Sequence, residues 1–247
     1  MKFPPPRPLY LAYTNSDLTN LEGILENWRT ERIPVTIANR TRRIYGMVAG
    51  VYPVSSYLFH AKAHQIALGF ANIKDGMNVL EVAVGSGEMF SHIAHRNGKG
   101  LNVGVDISPE MAAVTLQRMR REHPKVNCTI EASDARSMPF RDQTFDAVMC
   151  CYLLELLASN DIVRTLHEVK RVLKPGGTFT LIMIGQNREY FNRAYRVASK
   201  LVPAFWGQQM DRRGLELLEA CGFETVQERT VTQTLYPSRI VLTRRHS

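Results

Sequence analysis

The stretch Val79-Leu80-Glu81-Val82-Ala83-Val84-Gly85-Ser86-Gly87-Glu88 constrains this chain more than any other. A short apolar run passes straight into a turn of small residues, and a helical pattern follows from Met89. A turn built of Gly85, Ser86 and Gly87 lets a ligand approach the backbone, with the N–H groups of the next helix aimed at it. Two glycines between a strand and a helix are common, so the spacing downstream decides what the turn means. Asn102 to Asp106 is a second apolar run, ending in an acid about 20 residues after the turn, where a carboxylate can accept both ribose hydroxyls of an adenosine ligand. Ser108-Pro109-Glu110 then opens a helix, with serine at the N-cap and proline at the first helical position.

The same alternation continues. Val126 to Glu131 is a third strand pattern, ending near Ser133-Asp134-Ala135. Thr144 to Cys150 reads as a fully buried fourth strand. Glu168 to Lys174 is a helix end, Pro175-Gly176-Gly177 a stop, and Thr178 to Ile184 a fifth strand. Arg213 to Ala220 forms a helix stopped at Cys221-Gly222, and Phe223 to Thr230 and Ser238 to Thr243 are the last strands.

In order and spacing, the glycine turn, the acid Asp106, the Asp134-Ala135 pair and the run Arg171 to Gly177 resemble class I S-adenosylmethionine-dependent methyltransferases. The resemblance covers roughly residues 75 to 245. The run before strand five is similar to that of ubiquinone/menaquinone-biosynthesis C-methyltransferases and bacterial phospholipid N-methyltransferases. Ala83 stands where the usual pattern has its first glycine, and alanine occurs there in that subgroup. A nicotinamide-binding turn needs a third glycine three positions after Gly87. That position is Phe90.

The resemblance implies an α/β, Rossmann-like, seven-stranded sheet of order 3-2-1-4-5-7-6, strand seven antiparallel, with helices on both faces. It also implies that S-adenosylmethionine is the cofactor. Glu81 would meet its ammonium, with Ala83, Gly85, Ser86 and Gly87 forming the turn around it. Asp106 would hold the ribose and Ile107 the adenine face, with Met111 on the helix behind. Ser133, Asp134 and Ala135 would edge the adenine. Cys150 and Cys151 would border the sulfonium, and Tyr45 or Tyr52 would close over the methionine moiety. Tyr152 and Leu153 begin the acceptor side.

Residues 1–72 are expected to form an N-terminal extension and helical cap, and residues 73–247 the cofactor-binding domain. The proline-rich start should be extended. Asp17 to Trp28, Asn39 to Val51 and Val54 to Ala71 have helical apolar patterns, the last two separated by Pro53. The insertion 186–212 carries Tyr190, Phe191, Tyr195, Phe205 and Trp206 and would supply an apolar lid over the acceptor, or pack on the core.

Composition narrows the partners. Cys128, Cys150, Cys151 and Cys221 form no CxxC pair and read as reduced core residues rather than a disulfide frame or metal site. His60 and His64 lie one helical turn apart but lack a third ligand, so no metal is expected. Met1 to Pro8 lacks the apolar segment of a signal peptide, and Ala147 to Ala158 is too short to span a bilayer, so a cytoplasmic chain is expected. The net charge of +8 suits a solvated basic face, or peripheral contact with an anionic membrane or a phosphate-bearing acceptor.

The sulfonium methyl is already electrophilic, so the protein mainly aligns the acceptor. If the attacking atom carries a proton, His60, Tyr152 and Glu155 are the candidate bases. Cys150-Cys151-Tyr152-Leu153 is unlike the Asn/Asp-Pro-Pro-Tyr/Phe of amino-methylating nucleic-acid enzymes. A small or lipid-like acceptor remains: a quinol, a phospholipid or a hydrophobic metabolite. The alternatives are an RNA-modifying enzyme and a non-catalytic cofactor-binding partner subunit.

Overall fold

A computed structural model describes residues 52–185, 212–232 and 237–246, with backbone only for 52–60, 212 and 213. The predicted helices at 17–28 and 39–51, Tyr45 and the insertion from Gln186 to Met210 lie outside the described residues.

In chain order the elements are α1 (Tyr52–Ala71), β1 (Asn78–Val82), α2 (Glu88–Arg96), β2 (Leu101–Asp106), α3 (Pro109–Glu122), β3 (Cys128–Ala132), β4 (Phe145–Cys151), α4 (Ser159–Val172), β5 (Leu173–Ile184), α5 (Arg212–Ala220), β6 (Phe223–Val231) and β7 (Ser238–Arg245). The strands form one sheet of order β3-β2-β1-β4-β5-β7-β6. β1 to β5 run parallel, and β7 is antiparallel to both neighbours. This is the Rossmann-like arrangement expected.

Both faces of the sheet are covered, because side chains alternate along each strand. Leu80 and Val82 of β1 join Val103, Val105, Val148 and Cys150 in a cluster with Ile162, Leu166 and Val169 of α4 and Leu217 and Leu218 of α5. Val79 joins Ala147, Met149, Ile182 and Ile240 in a second cluster with Ala63, Ala67 and Leu68 of α1 and Met89 and Ile93 of α2. The C-terminal half of α1 is therefore a helix of the sheet's own core. Pro53 sits in its first turn, where a missing N–H is tolerated.

Phe90 packs fully buried with Val84, Ala94 and Met119. A Cβ at Gly104 would come within 2.7 Å of Val84, 2.8 Å of Ile130 and 3.2 Å of the Phe90 ring. A dinucleotide turn places its packing glycine on the helix. Here the glycine lies on β2 instead and the bulky residue on α2.

Strand five begins at Leu173, not at Thr178. Phe145 pairs with Leu173 and Ala147 with Thr178, so Lys174 to Gly177 bulge out of the ladder, with Gly176 at φ +72°. Side chains around the bulge fix it. Arg171 donates to the carbonyls of Met138 and Phe140 and to Glu168 and Asp142. Lys174 bonds Asp146, whose other oxygen accepts from the N–H of Asn78 at the start of β1. In this chain the Arg-Val-Leu-Lys-Pro-Gly-Gly run clamps the entry ends of β1, β4 and β5.

Candidate active site

Strand order sets the location of the site. From β1 the chain crosses to β2 on one side, and from β4 to β5 on the other, so their loops part at the carboxyl edge. Ligands of open α/β sheets sit in such crevices. The β1 loop carries backbone in the left-handed region at Ala83 (φ +60°), Gly85 (φ +51°) and Gly87 (φ +75°). Each glycine has a distinct reason. A Cβ at Gly85 would meet nothing within 4 Å, so this side of the turn is open. At Gly87 it would lie 2.7 Å from the Thr115 side chain, because α3 packs against the turn there.

Asp106 closes β2 beside this turn. One of its oxygens accepts from the Gly85 N–H (2.9 Å) and the other from the Ser108 N–H (2.9 Å). Burial raises its carboxyl above the usual range, and these N–H groups pull the other way. Thr115 donates to the Gly85 carbonyl at 2.8 Å, completing the frame. Sequence reasoning missed Thr115, since only the fold brings α3 to the turn. Ile107, next to Asp106, is a large apolar side chain left 41% exposed. Met111 is fully buried, and its N–H is capped by Ser108, so its side chain belongs to the core.

Glu81 is 1% exposed, and its Oε2 has no hydrogen-bond partner. Burial pushes its carboxyl well above the usual range, and the charges of Asp106 and Glu88 push it further. Glu88 opens α2 directly after the turn and lies 3.7 Å from His64 of α1, both buried. Neither was singled out for the site from sequence, because helical periodicity alone gives no sign that they meet.

Just beyond β3, the Ser133 N–H donates to the Asp106 carbonyl at 2.8 Å. Ala135 packs at the rim of the core beside it. Asp134 chelates Arg136, which also reaches Asp161 at 2.9 Å. Burial works to raise the Asp134 carboxyl, but Arg136 outweighs it and holds it below the usual range.

On the β4 side, burial and nearby carboxyls push the Cys150 and Cys151 thiols up, which favours the protonated thiol over the thiolate. Tyr152 adopts φ +55° at the strand end, a strained conformation of the kind that clusters at functional sites. Its hydroxyl lies 2.7 Å from the Ser238 hydroxyl. Glu155 is buried, with Oε1 accepting from the Ile184 N–H and Oε2 without a partner, and burial pushes its carboxyl up to about 7. Tyr52 and His60 lie on α1, where only the backbone is described. No group of three or more metal-ligating side chains stands together among the described residues.

Residues 79–177 match the family described as "Methyltransferase domain". A curated relative, the ubiquinone/menaquinone biosynthesis C-methyltransferase of Bordetella avium, is 32% identical over 173 residues, covering 68% of this chain and 62% of its own length. The chain carries a class I S-adenosylmethionine-dependent methyltransferase domain. A second relative, the demethylmenaquinone methyltransferase of Symbiobacterium thermophilum, is 33% identical over 143 residues, 56% of each chain. The chain thus spans less than two thirds of the length of each of these two relatives. Among solved structures, the N-methyltransferase NodS of Bradyrhizobium japonicum with S-adenosyl-L-homocysteine has a TM-score of 0.62 at 14% identity, over 76% of this chain and 87% of its own, which shows the shared fold. No helix among the described residues is long and apolar enough to cross a membrane.

Proposed function

We propose that this chain transfers a methyl group from S-adenosylmethionine to a small apolar aromatic acceptor of the quinol type. S-adenosylmethionine supplies an electrophilic methyl on a sulfonium. The observation that carries the reading is the open turn at Gly85 flanked by Asp106, Ile107 and the orphaned carboxyl of Glu81. These groups fit a ribose, a planar base and a cation.

In this reading Asp106 accepts from the ribose hydroxyls with lone pairs its two N–H partners leave free. Ile107 covers the adenine, Asp134 and Ala135 meet its edge, and Glu81 takes the ammonium. The backbone of Cys150 and Cys151 borders the sulfonium, and Tyr152 marks the acceptor side. Alignment of the acceptor is the main catalytic demand. Attack by a phenolic ring carbon also requires a proton to leave, which is the role proposed for His60, Tyr152 or Glu155.

The quinol acceptor is supported by what the two relatives are named for, with a phospholipid or another hydrophobic metabolite as the wider class. The capping role proposed for residues 1–72 is confined to the part ahead of the sheet-packed half of α1, and an apolar lid is proposed for 186–212. The net charge of +8 favours peripheral contact with an anionic membrane holding a lipid-like acceptor, from a cytoplasmic location.

The test is incubation with methyl-labelled S-adenosylmethionine and, separately, a prenylated hydroquinone, phospholipid vesicles or RNA. Label in the hydroquinone product supports the reading. Label only in phospholipid or only in RNA overturns the acceptor, and label in none overturns methyl transfer to these classes.

A further inference from the structure

Three carboxyl groups meet at the glycine turn from three elements: Glu81 of β1, Glu88 at the start of α2, and Asp106 closing β2. Asp106 is satisfied by two backbone N–H groups, and Glu88 has His64 of α1 beside it. Glu81 has neither. Its side chain is 1% exposed, its Oε2 has no partner, and the titratable groups that face it among the described residues are Asp106, Glu88 and the thiols of Cys150 and Cys151. Among these described residues no cation touches it. A lone buried carboxylate beside two others is expensive to ionise, so the neutral acid is favoured.

We propose that Glu81 holds a proton in the ligand-free protein and gives it up when the cofactor's ammonium arrives. The O–H bond of the Glu81 carboxyl breaks, the proton passes to solvent, and the carboxylate left behind pairs with the ammonium. Part of the cofactor affinity is thereby spent on deprotonation, so the site favours ligands that bring a cation to this position and discriminates against nucleosides that lack one. The inference rests on the cofactor reading above.

Calorimetric titration tests it at about pH 6.5, where an α-amine is already protonated. The folded 247-residue chain is titrated with S-adenosylhomocysteine in two buffers of different ionisation enthalpy. The dependence of the observed heat on the buffer gives the protons released. Close to one proton is expected for S-adenosylhomocysteine, and none for 5′-methylthioadenosine, which has the nucleoside but no ammonium. In Glu81→Gln the release should vanish while weaker binding persists. Binding of S-adenosylhomocysteine with no proton exchange overturns this inference alone, as does equal release with 5′-methylthioadenosine or undiminished release from Glu81→Gln. The two wild-type titrations decide the matter even if that variant does not fold. No binding of either ligand overturns the cofactor reading, and this inference with it.

Discussion

Glu155→Gln isolates the energetic consequence of burying a carboxyl at the end of β4. Glu155 is sealed from water, with one oxygen on the Ile184 N–H and the other without a partner, and its carboxyl is raised from an ordinary 4.5 to about 7. Between those values the folded protein binds a proton that the unfolded chain has released. Stability therefore falls as pH rises through this window, and the loss is complete above it. At 1.36 kcal/mol per tenfold change in proton affinity, the loss is ~3 kcal/mol. Glutamine keeps an oxygen for the Ile184 N–H and cannot ionise. Its amide is left as a buried donor, at a cost that does not change with pH. That offset cancels when denaturant unfolding of wild type and variant is compared at about pH 5 and about pH 8. The variant should gain ~2.5 kcal/mol on wild type between the two conditions, since part of the loss has already occurred at pH 5. A stability difference that is the same at both would show that the carboxyl titrates alike in the folded and unfolded chains, and would refute the reasoning.

Other substitutions address other parts of the frame. Gly87→Ala combines a left-handed φ of +75° with a contact 2.7 Å from Thr115, and should lower unfolding free energy by about 1–3 kcal/mol in urea titrations. Arg171→Met should cost ~3 kcal/mol, since it leaves Glu168 half-satisfied and frees two loop carbonyls; an effect under ~0.5 kcal/mol would show that the clamp around β5 is not stabilising. Asp106→Asn should weaken S-adenosylhomocysteine binding at least tenfold by calorimetry, because the amide replaces a charge-assisted acceptor with a neutral one and its NH2 must face the N–H of either Gly85 or Ser108.

The parallel strands were readable because each announces itself locally, as an apolar run that ends where a turn or cap begins; their order in the sheet came from the resemblance alone. Asp106 was readable for the same reason, since its place follows from counting along one βαβ unit. What stayed hidden depends on contacts between distant segments. Pro175-Gly176-Gly177 reads as a chain stop, yet it is a bulge within β5, held by Arg171 on the Phe140 carbonyl and Lys174 on Asp146 of β4, both about 30 residues earlier. Phe90 argued against a nicotinamide turn, but the glycine that accommodates it is Gly104 on the neighbouring strand. The bridge from Arg136 to Asp161 and the approach of Glu88 to His64 likewise arise from packing that periodicity does not encode.

The central claim is a location: an adenosine ligand across the carboxyl ends of β1 and β2, its ribose on Asp106. A crystal structure of the chain with S-adenosylhomocysteine tests it most directly. The account predicts the ribose hydroxyls within hydrogen-bond distance of the Asp106 carboxylate, the adenine on Ile107 and the ammonium toward Glu81. Density for the ligand at any other place, with this crevice empty, would contradict it.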